Sequence, residues 1–270
     1  MAWTQLRAEN WGTLTSFFDM LKVGRAAGPD WMFRGQACAA WGLVPSLRRL
    51  FGGYGITYPK AHGIEYGVFR RFSGQAHMHV ADRLLPPEQA PQSAWWMLMQ
   101  QHSCPTRLLD WTESPYVATY FAVERMHDED GAVWVLPGSP LDTQMTQEFG
   151  GMGALEEEAS YREEKPMPAV YPIVGNKHSH RSVAQQGRYT VSTDILADHG
   201  VLVEAALTRA GWADKCLKVI VPSTLKLDFL CHLRAMNITA SALFPGLDGL
   251  GRSASEYVTT RVWDELRQAM

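Results

Sequence analysis

The sequence predicts an α+β protein in which a helix-rich N-terminal half packs on a mixed β-sheet. Apolar residues at helical spacing dominate the first half, and runs rich in β-branched residues concentrate in the second. The two kinds of segment do not alternate regularly, which argues against repeated βαβ units. Because 270 residues with 46% hydrophobic content suffice for one large core, we expect a single domain over residues 1–270.

The first half contains most of the predicted helices. LTSFFDMLKVG repeats apolar residues at helical spacing, a four-residue recurrence predicts a longer helix over 62–84, and SAWWMLMQQH predicts another. In SPYVATYFA, the serine fits an N-cap and the proline the first helical position. WMFRG predicts a short strand with Arg34 at its end, and WGLVPSLRRL predicts an extended piece that stops at Pro45. QHSCPTRLLDW is expected to be irregular.

The second half supplies the remaining predicted strands. GAVWVLPG has the composition of a buried strand, and PAVYPIV, RYTVST and CLKVIVPS are three further strand candidates. Two helices are expected at 224–236 and 254–268. The acid-rich residues 138–165 are predicted to form an insertion or a long solvated loop.

Charge and cysteine content restrict the classes of partner and compartment. A net charge of −3 provides no bulk attraction for duplex nucleic acid or an anionic membrane, so we expect neither partner. The four cysteines have no CxxC spacing, as expected for reduced thiols in a cytoplasm. The N-terminus lacks a signal-peptide pattern, and no apolar run approaches the ~18 residues of a membrane span. A soluble cytoplasmic protein is therefore expected.

Histidine pairs do not form a recognised metal motif. His77 and His79 are two residues apart, which separates them by about 200° on the predicted helix. The HSH segment that ends at His180 also lacks further ligands at a recognised spacing. We therefore expect no metal.

Charged residues in two motifs could form either a ligand site or structural ion pairs. Arg34 and Gly35 sit at a predicted strand end, where a guanidinium can fork onto phosphate or carboxylate oxygens. Arg107 and Asp110 are three residues apart among apolar neighbours. They could face a ligand, or they could pair with each other and fix the loop, because an unpaired buried charge is costly.

Two further features have a chemical and a neutral interpretation. His102 could act as an acid or base, but no Ser or Cys nucleophile with a suitable local signature accompanies it. Lys177, Arg181 and Arg188 form a basic cluster that could hold a phosphate or could be a solvated loop. Neither GxGxxG nor GxxxxGK[ST] occurs, so the sequence offers no Rossmann or P-loop nucleotide site.

Four ordered blocks lie within residues 30–250: FRGQ with WGLVPSLRR, QHSCPTRLLDWTESPYVATYFA, AQQGRYT and ALFPGLDGL. These blocks resemble the signature motifs of the FRG domain family, which is named for an aromatic-Arg-Gly motif and has members in bacteria and phages. The second block places Ser103 and Cys104 where the family commonly has glycine and a variable residue.

FRG and TYFA are also similar, more distantly, to two motifs of ADP-ribosyltransferases. This resemblance implies an ADP-ribosyltransferase-like fold with NAD as substrate, in which Arg34 holds the adenosine ribose or the phosphates and Tyr120 stacks on the nicotinamide. The third motif of that family supplies a glutamate, where this sequence has Gln185 and Gln186. An amide cannot offer a full negative charge, so Glu124 or Asp110 would have to supply the carboxylate.

The resemblance implies NAD-dependent ADP-ribosyl transfer or NAD hydrolysis, as in a toxin or phage-defence effector with a macromolecular acceptor and a neutralising partner protein. Its site would be a cleft lined by the following residues: Arg34, Gly35, Gln36, His102, Thr106, Arg107, Asp110, Tyr120, Glu124 and Gln186. One alternative is a non-catalytic module that binds a nucleotide or phosphate ligand. Another is a hydrolase or nuclease that uses His102 and Asp110.

Overall fold

A computed structural model of the chain describes residues 3–21, 29–87, 89–151, 153, 167–174 and 180–268. Its centre is a seven-stranded sheet. The strands are β1 (Thr4–Arg7), β2 (Trp31–Gln36), β3 (Leu108–Thr112), β4 (Gly131–Pro137), β5 (Val170–Val174), β6 (Gly187–Ser192) and β7 (Leu217–Val221). They lie in the order β1-β7-β4-β2-β3-β6-β5, and every neighbouring pair is antiparallel except β1 and β7. The predicted mixed sheet is therefore confirmed.

Helices cover both faces of the sheet. They are α1 (Trp11–Met20), α2 (Ser46–Phe51), α3 (Tyr58–Ala76), α4 (Gln92–Gln101), α5 (Pro115–Val123), α6 (Gly138–Phe149), α7 (His180–Ala184), α8 (His199–Arg209), α9 (Lys226–Ala235), α10 (Ala240–Leu243) and α11 (Leu247–Gln268). Short 3₁₀ turns occur at Asp82–Leu84, Ala213–Lys215 and Ser223–Leu225.

The alternation of side chains along β4 divides the core into two layers. Val133 and Val135 pack with α1, α5 and α9 on one face, whereas Trp134 and Leu136 pack with α4, α6 and α8 on the other. All seven residues of β4 are buried, as expected for a central strand covered on both sides. Burial of apolar surface on both faces supplies the main driving force for this fold.

Most predicted elements are confirmed, including the strands β2 and β4 to β7 and the helices α1, α4, α5 and α9. The long helix predicted over 62–84 occupies Tyr58–Ala76 instead, and a 3₁₀ turn follows it. The helix predicted over 254–268 is longer and begins at Leu247. Strand β1 and helix α8 were not predicted from the sequence. Helices also continue through the second half.

Three segments differ in type from the prediction. SLRRLF forms helix α2 because Leu47 and Phe51, four residues apart, are buried together. LLDWT, expected to be irregular, is strand β3. Within the predicted 138–165 loop, the first twelve residues form α6, which buries Leu141 and Met145 and ends at Gly150 in a left-handed conformation. The acidic part of that loop lies largely outside the described residues.

A buried histidine connects two strands of the sheet to helix α8. The indole N–H of Trp111 donates to Thr190 Oγ1 at 3.0 Å, and Thr190 Oγ1 is 2.9 Å from His199 Nδ1. Burial, reinforced by the charges of Arg34 and Arg107, lowers the pKa of His199 to about 3. His199 is therefore neutral in the folded protein at neutral pH.

This low pKa predicts a specific loss of stability in acid. His199 binds a proton near pH 6.5 in the unfolded chain but only near pH 3 in the folded chain. The unfolding free energy therefore has its full value above pH 6.5 and decreases as the pH falls from 6.5 towards 3, because protonation favours the unfolded chain. His199→Asn keeps an amide near the Nδ1 position but cannot titrate. Between pH 7.5 and 5.0 the wild type should lose about 1–2 kcal/mol more unfolding free energy than the variant.

Urea unfolding at each pH measures this difference. His102→Asn, at an exposed histidine, is the matched control and should follow the wild-type profile. Parallel pH profiles for the wild type and His199→Asn would show that His199 does not have the proposed effect.

Candidate functional site

The sheet opens between β2 and β3, and a cleft forms at the opening. β2 pairs with β4 along its full length, and β3 pairs in the same way with β6. Between β2 and β3 themselves, Phe33 and Thr112 form the only register pair. Beyond that pair the strands diverge, and a cleft of about 760 Å³ lies between them. This volume is within the range typical of small-molecule sites.

Arg34 of β2 bridges the opening to β3. Its Nη1 donates to the carbonyl oxygen of Asp110 at 2.7 Å, which satisfies a backbone acceptor on the edge where β3 has left β2. Burial lowers the pKa of Arg34 to about 10, with Asp110 opposing and Arg49 reinforcing the shift, so the guanidinium stays charged at neutral pH. Its buried Nε has no hydrogen-bond partner among the described residues. Arg34 thus places an incompletely paired cation at the cleft.

Asp110 is the one exposed residue of β3, and a chain of hydrogen bonds orients its carboxylate. Gln100 Nε2 donates to Asp110 Oδ2 at 2.9 Å. Thr106 Oγ1 donates to Gln100 Oε1 at 2.6 Å, and the Thr106 backbone N–H donates to Ser46 Oγ at 3.1 Å. This arrangement fixes the Gln100 amide with its nitrogen towards Asp110. Thr106 therefore acts on the cleft through Gln100, because it is buried and does not line the cleft.

Tyr189 lies beside Asp110, on the wall of the cleft that β3 and β6 form. The two residues are cross-strand partners in β3 and β6. Burial, reinforced by the charge of Asp110, raises the pKa of Tyr189 to about 12. The phenol is therefore protonated at neutral pH, and its side chain also hydrogen-bonds with Gln101.

Positive charge predominates along the cleft. Five arginines line it, against two carboxylates, Asp110 and Glu124, although the chain as a whole carries a net charge of −3. The arginines are Arg34, Arg49, Arg125, Arg181 and Arg188. Such a local concentration of guanidinium groups attracts anionic ligands, and phosphate in particular.

The glycine of the FRG motif is required by helix packing. A Cβ atom on Gly35 would lie 1.8 Å from the carbonyl oxygen of Ala118, so α5 can approach β2 only where a side chain is absent. Gly131 of β4 has the same role, since its Cβ would lie 2.3 Å from the carbonyl oxygen of Ala122. Gln36 is also structural, because it donates to the Gly42 carbonyl and accepts from the Trp134 indole.

Two predicted ligand contacts are buried away from the cleft. Tyr120 is 0% exposed, and its hydroxyl donates to Glu256 on α11, so it cannot stack on a nicotinamide in this conformation. Arg107 is 1% exposed and does not pair with Asp110. It forms a bidentate ion pair with Glu65 of α3, with a 2.7 Å bond from Nε, and it also donates to two backbone carbonyls near the end of β6.

Other predicted residues are divided between the cleft and the surface. Glu124 lines the cleft, and burial raises the pKa of its carboxyl. His102 is exposed at the end of α4 and is absent from the cleft lining. Gln186 is exposed in a left-handed turn, and its neighbour Gln185 faces the cleft instead. Gly35 and Gln36 lie on the cleft wall through their position in β2.

Several residues that line the cleft were not predicted from the sequence to lie there. Arg181 and Arg188 were identified only as members of a basic cluster, and Lys177 of that cluster lies outside the described residues. Gln100 carried no local signal, because a glutamine in a helix is common in any fold, and Trp41 was noted only as the first residue of the WGLVPSLRR block. In none of the described segments do three or more His, Cys, Asp or Glu side chains gather as a metal site would require. No described helix is long and apolar enough to cross a membrane.

The model of the FRG domain family matches residues 29–131. The chain therefore carries an FRG domain over this segment, which confirms that resemblance. No curated protein and no solved structure matches the chain. The matched segment includes β2, β3 and α5, hence Arg34 and Asp110, whereas β6 and α7 on the opposite wall of the cleft lie beyond it.

Arg107 should be essential for stability. Arg107→Met leaves Glu65 as an uncompensated buried charge, so the unfolding free energy should fall by about 3–5 kcal/mol. The double variant Arg107→Met/Glu65→Met removes both charges and should recover most of that loss. Chemical denaturation of the full chain measures these changes.

An exposed ion pair provides the matched control. Arg209 makes two hydrogen bonds to Glu148 at the surface, and Arg209→Met should cost no more than about 1 kcal/mol. A similarly small loss for Arg107→Met would contradict the structural role assigned to the buried pair.

Proposed function

We propose that the cleft between β2 and β3 binds NAD and that the chain catalyses ADP-ribosyl transfer or NAD hydrolysis. One observation carries this proposal: a carboxylate held by hydrogen bonds, Asp110, lies beside an incompletely paired guanidinium, Arg34, in a cleft with an excess of arginines. Glycosyl transfer needs a carboxylate near the ribose, and a dinucleotide also needs cations for its two phosphates.

The arginines provide the binding component. Arg181 and Arg188 stand on the β6 side of the cleft, and Arg34 and Arg49 stand on the β2 side. A diphosphate between the two walls would contact guanidinium groups from both. Arg188 is also bonded to Glu113 at 2.6 Å, which fixes the side chain before a ligand arrives. Prior fixation lowers the entropy cost of binding.

The carboxylate provides the catalytic component. NAD supplies a nicotinamide leaving group that departs with the electron pair of its glycosidic bond. Asp110 would stabilise the positive charge that develops on the ribose, because its carboxylate is oriented by Gln100 before the reaction. Water or a macromolecular acceptor then adds to the ribose and loses a proton. Asp110 is the better supported of the two cleft carboxylates, since burial raises the pKa of Glu124 and disfavours its charged form.

The buried position of Tyr120 changes the roles inferred from the ADP-ribosyltransferase resemblance. Tyr120 holds α5 against α11 through Glu256 and serves the site by supporting the helix next to β2.

The resemblance also motivates a cytoplasmic toxin or phage-defence role, with a neutralising partner protein. A non-catalytic nucleotide-binding module is the second candidate, favoured by the excess of arginines over carboxylates in the cleft.

Nicotinamide release from NAD tests catalysis directly. Purified full-length protein is incubated with NAD, alone and with cell extract to supply acceptors, and nicotinamide is quantified by chromatography. Asp110→Asn keeps the side-chain shape but removes the charge, so kcat should fall by about 10²- to 10³-fold. Binding of ADP-ribose to this variant should change far less, because the arginines remain.

Asp142→Asn, at an exposed position on α6, is the matched control and should retain wild-type kcat. Binding of ADP-ribose by a wild type that releases no nicotinamide under either condition would favour the non-catalytic module. Unchanged turnover by Asp110→Asn would exclude this residue as the stabilising carboxylate.

A further inference from the structure

Trp41 lies at the rim of the cleft with much of its ring accessible. It is 42% exposed, and it lines the same cleft as Arg34 and Asp110. The other large rings of the described lining are less accessible: Phe33, Trp111 and Tyr189 are buried, and Phe121 is partly buried in contact with Phe244. Trp41 is thus the aromatic surface that a ligand can reach without rearrangement of the cleft.

The loop that carries Trp41 is held on both sides by side chains from the core. Lys226 Nζ donates to the Ala37 carbonyl at 2.6 Å, and Lys218 Nζ donates to the Ala39 carbonyl at 2.7 Å. After Trp41, Gln36 Nε2 donates to the Gly42 carbonyl at 3.0 Å. An isolated exposed aromatic residue is common on protein surfaces. Here three anchored carbonyls hold the backbone that carries the Trp41 ring, so a ligand that stacks on it orders less of the loop.

Charge complements this surface. The guanidinium of Arg125 lies 6.0 Å from the centroid of the Trp41 ring, and Arg34 and Arg49 belong to the same wall of the cleft. A ligand with a planar π-system joined to an anionic group would match the ring and the arginines together. Nucleotides have this combination, and aromatic stacking with a base tolerates any base because each has a π-face.

We infer that Trp41 forms a base-binding subsite in which the heteroaromatic base of a nucleotide stacks while the cleft arginines hold its phosphates. This inference rests on the proposed nucleotide function of the cleft. It identifies Trp41 as the residue that would distinguish a nucleotide from a sugar phosphate without a base. Trp41 contributes affinity for the base alone, and its removal leaves the phosphate contacts unchanged.

Paired ligands separate the two contributions. Binding of ADP-ribose and of 5-phosphoribosyl diphosphate, which lacks a base, is measured by calorimetry on the full chain. Trp41→Ala should weaken ADP-ribose binding by about 10-fold or more and change binding of the base-free ligand by less than about 2-fold. Trp41→Phe retains a π-surface and should stay within about 3-fold of wild type for both ligands.

Tyr54→Ala removes an 87% exposed aromatic side chain that does not line the cleft, and it should bind both ligands as the wild type does. Equal weakening of both ligands by Trp41→Ala would overturn the inference, because the ring would then shape the cleft as a whole. An unchanged affinity of Trp41→Ala for ADP-ribose would also overturn it, while the proposed function would stand. A wild type that binds no ADP-ribose would refute the nucleotide function itself and the subsite with it.

Discussion

The separation of β2 from β3 after a single register pair is the constraint on which the site depends. Each of these strands is fully paired on its other side, so the sheet stays continuous while its middle opens. Backbone groups at such an opening must find other partners, and the Arg34 side chain supplies one by donating to the Asp110 carbonyl. The same contact brings a cation next to a strand that carries an exposed carboxylate. A break in the sheet thus becomes a polar cleft in an otherwise apolar core.

Buried charges outside the cleft hold the surrounding elements in position. The Arg107–Glu65 pair joins β3 to α3, and Lys226 donates to three backbone carbonyls, including Ala37 at the end of β2. Buried ionic groups are costly unless they are paired or hydrogen-bonded. Arg107 has Glu65 as its counter-charge, and Lys226 has its three carbonyl acceptors. The FRG glycine has a comparable role, because it allows α5 to contact β2 directly. Residues of the signature motifs therefore build the frame of the cleft as much as they line it.

The sequence was sufficient to predict the mixed sheet and most of its strands. Arg34 and Asp110, which were selected from the sequence, both line the cleft. The sequence was not sufficient to predict which partner each charge would find. Arg107 and Asp110 are close in sequence, yet Arg107 pairs with a glutamate 42 residues away on another helix. The inward direction of Tyr120 likewise follows from α11, whose Glu256 lies 136 residues further along the chain. Local periodicity identifies elements, whereas the choice of partner across elements depends on tertiary packing.

The opening between β2 and β3 is the proposed ligand site for a nucleotide. A crystal structure of the full chain grown with saturating ADP-ribose tests this proposal most directly. We expect ligand density in the opening, with a ligand oxygen within hydrogen-bond distance of the Arg34 guanidinium and the terminal ribose beside Asp110. Density for ADP-ribose elsewhere on the molecule, with this cleft filled only by solvent, would contradict the account.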